Sequence, residues 1–153
     1  MKRALLLIVL LTAALLLYGI ARRSAPPSEI ERNRAFTESM SGVTLVGNST
    51  RLNRDGVSGP EHYYIDGVNH IAGDAWLFRT RLSYHGKDIP VPIPISVKWA
   101  GDTPVITLTD LSIPGFGTYS ARVVLYRGQY AGTWSGQKGG GQLFGKIVRG
   151  TAP

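Results

Sequence analysis

Two basic residues, Lys2 and Arg3, precede an uncharged, leucine-rich run from Ala4 to Ala21 that stops at Arg22-Arg23. In a helix, at about 1.5 Å per residue, such a run reaches roughly 27 Å, at the short end of what spans the ~30 Å hydrocarbon core of a bilayer. The pattern predicts that residues 1–23 are a signal anchor or signal peptide. Gly19-Ile20-Ala21 offers small residues for cleavage, whereas the arginines directly behind it, the interfacial placing of Tyr18 and the length of the run favour an anchor. Either way the rest of the chain is expected outside the cytoplasm. It would be anchored in the inner membrane through residues 4–21 and face outward, or be secreted or periplasmic if the signal is cleaved.

The pattern then changes twice. Residues 24–42 read as a linker and short helix: Pro26-Pro27 forces an extended spacer. Ser28 followed by Glu31 has the spacing of a capping box, which predicts a helix from about Glu29 to Ser39 ending before Gly42. Ile30, Arg34 and Glu38 would share one face, so its apolar surface is thin and its expected role is a lid or spacer. From Val43 the period becomes two. Strands are predicted near 43–50, 62–68, 75–84, 89–99, 104–111, 118–126, 129–135 and 142–149. Turns such as Ala100-Gly101-Asp102-Thr103 and Arg127-Gly128 join them. Short connections predict an antiparallel meander. Residues 43–153 are therefore expected to form a mainly β domain, an eight-stranded and closed or nearly closed barrel, with a β-sandwich as the alternative.

One strand breaks the rule of free pairing on both sides. Ile89, Val91, Ile93 and Ile95 alternate with Pro90, Pro92 and Pro94. Alternate residues of a strand direct their backbone N–H toward the same neighbour, so the three absent donors share one seam. An edge, or a barrel open along the first half of this strand, is expected there, and the three prolines become a candidate contact surface for a partner.

Charge and composition narrow the chemistry. The 153 residues carry a net charge of +7, but four of the 17 basic residues flank the apolar run, which leaves 13 − 10 = +3 from Ser24 onward. That small excess, with export, argues against nucleic acid as a partner. With no cysteine there is no disulfide, thiolate metal site or cysteine nucleophile. His62, His70 and His85 lack metal-ligand spacing, so no metal or other cofactor is expected. Asp66, Asp74, Asp88, Asp102 and Asp110 fall mostly at strand ends, where Asp bonds its own backbone. Gly136 to Gly145 lacks the Ser or Thr and the helix of a phosphate loop and reads as a hairpin tip. No catalytic constellation emerges, so a non-enzymatic role is expected.

The aromatic residues are the better lead. Trp76, Phe78, Trp99, Tyr119 and Trp134 lie on several strands. Turned inward, they would either fill the barrel or line a site for one small apolar or planar ligand. A structural or macromolecule-binding role in the cell envelope is the leading expectation, with a carrier or sensor of a small apolar ligand as the alternative.

The segment Val97-Lys98-Trp99-Ala100-Gly101-Asp102-Thr103-Pro104-Val105-Ile106-Thr107-Leu108-Thr109-Asp110-Leu111, with Gly117-Thr118-Tyr119 and Tyr130-Ala131-Gly132-Thr133-Trp134, resembles an uncharacterised family of small exported bacterial proteins. The resemblance covers most of the chain after Met40 and implies export and a compact β domain, without site residues. In architecture alone the expected barrel is similar to lipocalins and avidins.

Overall fold

A computed structural model of the chain describes Thr12, Leu15 and residues 27–84, 87–113 and 117–150, with the backbone only at 82–84 and 87–89. Apart from Thr12 and Leu15, both helical, the expected membrane segment lies outside the described residues. Among the described residues no helix is long and apolar enough to cross a membrane.

Helix α1 (Glu29–Met40) starts where the capping box places it. The Glu31 N–H donates to Ser28 Oγ at 3.3 Å and the Ser28 N–H donates to Glu31 Oε2 at 2.9 Å. These bonds satisfy two donors that a helix start leaves orphaned, and those from Ser28 hold the Glu31 carboxyl below the usual range. At the other end, the Arg149 guanidinium donates to the carbonyls of Glu38 and Ser41, both at 3.1 Å. The buried face is not the thin one expected from Ile30. Ile30 is 81% exposed, and Arg34 pairs outward with Glu38 at 2.8 Å. Phe36 and Met40, one turn apart, are the residues that bury.

Nine strands follow: β1 (Val43–Arg51), β2 (Arg54–Val57), β3 (Glu61–Ala72), β4 (Ala75–Tyr84), β5 (Lys87–Ala100), β6 (Thr103–Ile113), β7 (Gly117–Tyr126), β8 (Gln129–Gly136) and β9 (Gly139–Arg149). From β3 to β9 each strand pairs antiparallel with its successor. β1 pairs with both β3 and β9, in a register running from Val43↔Arg149 to Ser49↔Leu143. That last pairing closes an eight-stranded barrel and rules out the sandwich. β2 is an unanticipated short strand that pairs with the end of β1.

Cross-strand partners share a face, so the interior can be read from the registers. Val43, Leu45, Ile65, Trp76, Phe78, Ile95, Val97, Ile106, Val123, Leu125 and Tyr130 are all buried. Gly47, Tyr130 and Gly145 form one inward row. A Cβ on Gly145 would lie 2.2 Å from the Val46 carbonyl oxygen and 2.8 Å from the Tyr130 ring, so only glycine fits beneath that ring.

The wall has one opening. β4 pairs with β5 without a break from Ala75↔Ser96 to Tyr84↔Lys87, but β5 pairs with β6 only from Ser96↔Thr107 to Ala100↔Thr103. The β4 ladder survives three prolines because the odd-numbered residues of β5 direct their N–H groups to it. The Val97 N–H, for example, donates to the Asp74 carbonyl at 2.9 Å. Pro90, Pro92 and Pro94 therefore turn their missing donors, and their carbonyls, toward β6. β6 also bends away, with a register shift between Leu108 and Leu111 and Asp110 at φ +48. The Asp110 N–H donates to Ser120 Oγ at 2.9 Å, and Arg122 donates to the Leu108 carbonyl and to Thr109 Oγ1, which fixes the bend.

Candidate functional site

The five aromatics singled out from the sequence form two groups at opposite ends of the barrel. Trp76, Phe78 and Trp99 gather where α1 crosses the end at which β1 starts. Phe36 inserts among them, with its ring centre 4.8 Å from that of Trp76, 5.6 Å from Trp99 and 6.2 Å from Phe78. The Arg32 guanidinium lies 4.5 Å above the Trp99 ring, and His70 packs against Trp76 at 4.8 Å. Trp76 is 0% exposed and Phe78 1%. These three aromatics pack around a helical stopper. Beside it, a groove of about 530 Å³ runs between Met40, Pro104, Leu125 and Arg149.

Tyr119 and Trp134 face the other end, where they line a cavity of about 410 Å³ with Tyr63, Leu143, Ile113, Ser49, Glu61 and Arg51. Tyr119 pairs with Gly136, and Trp134 with Gly141. Each ring lies over its glycine: a Cβ on Gly136 would meet the Tyr119 ring at 2.9 Å, and one on Gly141 would meet Trp134 Nε1 at 3.1 Å. Among the described residues, Trp134 Nε1 is buried without a hydrogen-bond partner.

The cup has a polar floor. Ser49 Oγ donates to Glu61 Oε1 at 2.6 Å, Ser58 Oγ reaches the same oxygen at 3.4 Å, and Tyr63 Oη donates to Glu61 Oε2. Burial raises the Tyr63 phenol well above its usual range, reinforced by the hydrogen bond to Glu61 and its charge. Tyr130 is raised by burial and then by the same carboxylate. Glu61 makes no ion pair among the described residues. Arg51 makes none either and places its guanidinium 5.9 Å over the Trp134 ring, within cation–π range. Lys138 completes the rim.

Glu61, Tyr63 and Arg51 were not legible as site residues. Glu61-His62-Tyr63-Tyr64 reads as an ordinary strand start, and only the register Leu45↔Tyr63 and Gly47↔Glu61 turns the odd positions inward. Of the other polar candidates, Asp66 and Asp74 are engaged in the wall, and His85 and the Asp88 side chain lie outside the described residues. Asp66 accepts from Arg81 Nε at 2.9 Å, Asp74 from Lys98, and Asn48 Nδ2 donates to the Ser58 carbonyl at 2.8 Å. Among the described residues no three His, Asp or Glu side chains are grouped to hold a metal. A larger depression, about 710 Å³, lies on the outer wall around Val46, Val124, Tyr126, Ala131 and Phe144. Its lining also carries Asn48, Gln129 and Lys146, but it lies outside the barrel interior that the inward aromatics enclose.

Set against family models, curated proteins and solved structures, the chain matches none.

Proposed function

We propose that the chain is a non-enzymatic, extracytoplasmic and membrane-tethered barrel that carries or senses a small ligand with an apolar or planar face, held in the cup. The observation that carries this reading is the asymmetry of the interior. One end is plugged by α1, whose Phe36 fills the space among Trp76, Phe78 and Trp99 and leaves only a groove beside the helix, while the other keeps a cavity of about 410 Å³ walled by Tyr63, Tyr119, Trp134 and Leu143. Aromatic walls with a few convergent polar groups are the usual make-up of small-molecule sites. The tether rests on the sequence of residues 1–23, and cell fractionation tests it: the full chain is expected in the inner-membrane fraction, accessible to external protease.

For the cup, the full chain in lipid nanodiscs is titrated with a panel of planar and amphiphilic compounds, and heat is recorded by calorimetry. At least one compound should bind with a 1:1 stoichiometry that is lost in Trp134→Ala and kept in Trp99→Phe. Binding insensitive to Trp134→Ala, or no binding across the panel, overturns the reading.

A second reading, contact with an envelope macromolecule, is favoured by the open seam. The carbonyls of Pro90, Pro92 and Pro94 need donors that β6 does not bring. Crosslinking from a photoreactive residue introduced at Pro92, compared with one at the paired position Arg79, separates a partner at the seam from general proximity.

A further inference from the structure

The polar groups of the cup narrow what it can hold. Glu61 is a half-buried carboxylate whose oxygens receive two hydroxyl donors, from Ser49 and Tyr63, yet no cation pairs with it among the described residues. As a carboxylate it sets a negative field in the cavity. The phenols of Tyr63 and Tyr130 register that field, both being driven upward partly by Glu61. Tyr63 and Trp134 stand in the same lining, with Tyr119 beside Trp134. A carboxylate among aromatic rings is the chemistry that takes an alkylammonium: the rings attract the cation through their faces, and the carboxylate neutralises it.

Trp134 already demonstrates the first part, since the Arg51 guanidinium rests over its face at 5.9 Å. Among the described residues Arg51 has no carboxylate partner, and it sits with Lys138 at the rim. Among the described residues, the cavity therefore holds a carboxylate without a cation partner on its floor and cations without a carboxylate partner at its edge. A purely anionic ligand would leave Glu61 unpaired, and a purely cationic one would meet repulsion from Arg51 and Lys138.

From this separation of charge we propose that the cup binds a zwitterion, with its alkylammonium against Glu61, Tyr63 and Trp134 and its phosphate or carboxylate against Arg51 and Lys138. The proposal deepens the reading of the cup as a small-ligand site and rests on it. Arg51 leaves the Trp134 face as the ammonium arrives and turns to the anion. Such ligands come from two sources, a phospholipid headgroup or a free betaine-like solute.

The test uses the full chain in nanodiscs of anionic lipid alone, titrated with phosphocholine, phosphoethanolamine, glycine betaine, choline and the uncharged-head isostere 3,3-dimethylbutyl phosphate. Phosphocholine is expected to bind at least about tenfold more tightly than the isostere, which differs from it by the positive charge. Choline should fall below phosphocholine, and Arg51→Gln should weaken phosphocholine while leaving choline unchanged or improved. Glu61→Gln, which keeps the size and most of the hydrogen bonding, should abolish the preference for phosphocholine over the isostere. The isostere comparison stands on the unaltered chain even if Glu61→Gln does not fold.

Preference for phosphocholine and phosphoethanolamine over glycine betaine assigns the headgroup source, and the reverse assigns the solute. Equal binding of phosphocholine and its isostere overturns the inference. If neutral planar compounds bind and none of the charged-head probes does, the inference falls while the cup reading survives. If nothing binds, both fall.

Discussion

The two ends of the barrel are built from the same eight strands, yet one is plugged by a helix and the other keeps an aromatic cup. The difference lies in what stands opposite each aromatic. At the end closed by α1, Trp76 pairs with Ile95 and Phe78 with Ile93, bulky residue against bulky residue, and Phe36 takes the remaining space. At the mouth, Tyr119 and Trp134 pair with Gly136 and Gly141. The glycines seat the two rings against the wall, and the cup is the space between those rings and Tyr63, Ile113 and Leu143. Polarity follows the same division: ring-to-ring contacts hold one end, hydroxyls around a carboxylate the other.

If this contrast is right, truncations at the two ends should differ sharply in cost. Phe36→Ala removes a ring that is 4% exposed and touches three others, so a loss of about 3–5 kcal/mol is expected in urea unfolding. Trp134→Ala, at the half-buried mouth, should cost roughly 1 kcal/mol. Similar losses at both would break the comparison.

A smaller effect should separate the stopper from the wall. Arg149→Gln deletes the guanidinium that donates to the Glu38 and Ser41 carbonyls, at an expected cost of about 1–2 kcal/mol. Hydrogen exchange should then quicken across Glu29–Met40 while β7 and β8 stay protected. Uniform acceleration would mean that the helix and the barrel are one cooperative unit.

The prolines set a third region beside these two ends. Replacing Pro90, Pro92 and Pro94 together with Val restores three donors that face the gap, while the bend at Asp110 keeps β6 away from them. The expected result is concentration-dependent association, visible by light scattering, with stability changed by less than about 1 kcal/mol. A variant that remains monomeric and melts as before would show that the seam is not an available edge.

The subtlest difference is in titration. Tyr63 and Tyr130 are held protonated above the ordinary phenol range of about 10, by burial and by Glu61. A raised pKa in the folded state means that their contribution to stability is intact below pH 10 and is lost as pH climbs through the folded values. Absorbance at alkaline pH should show most tyrosines ionising first and a late step that coincides with unfolding. Tyr63→Phe should shrink that late step, and an unchanged late step would place the burial elsewhere.

Strand positions and the meander were legible because alternation over 75–84, 89–99 and 118–126 is regular and the glycine-bearing turns are short. The proline seam was legible for a stricter reason, since backbone chemistry alone fixes which donors are missing. β2 was not, because Arg54-Asp55-Gly56-Val57 has four exposed residues and therefore no alternation to detect. The stopper face was misread because Phe36 and Met40 are separated by polar residues, and their role depends on where the barrel end lies. For the site, the sequence named Tyr119 and Trp134 but grouped them with three residues from the opposite end. Assigning aromatics to an end requires registers, and so does recognising Glu61 beside Ser49, which comes from a different strand.

Closure through β1 and β9 carries a consequence for how the molecule is assembled. Val43 meets Arg149 across 149 − 43 = 106 positions of chain, so the ring cannot close until the last strand is present. Joining ends that far apart is slow compared with forming each hairpin, which places closure late in folding. Arg149 then does two jobs at once: its backbone completes the β1–β9 ladder and its side chain caps α1. The helix, although among the first described residues to leave the ribosome, gains this cap only when the last strand has docked, while Phe36 packs on β4 and β5.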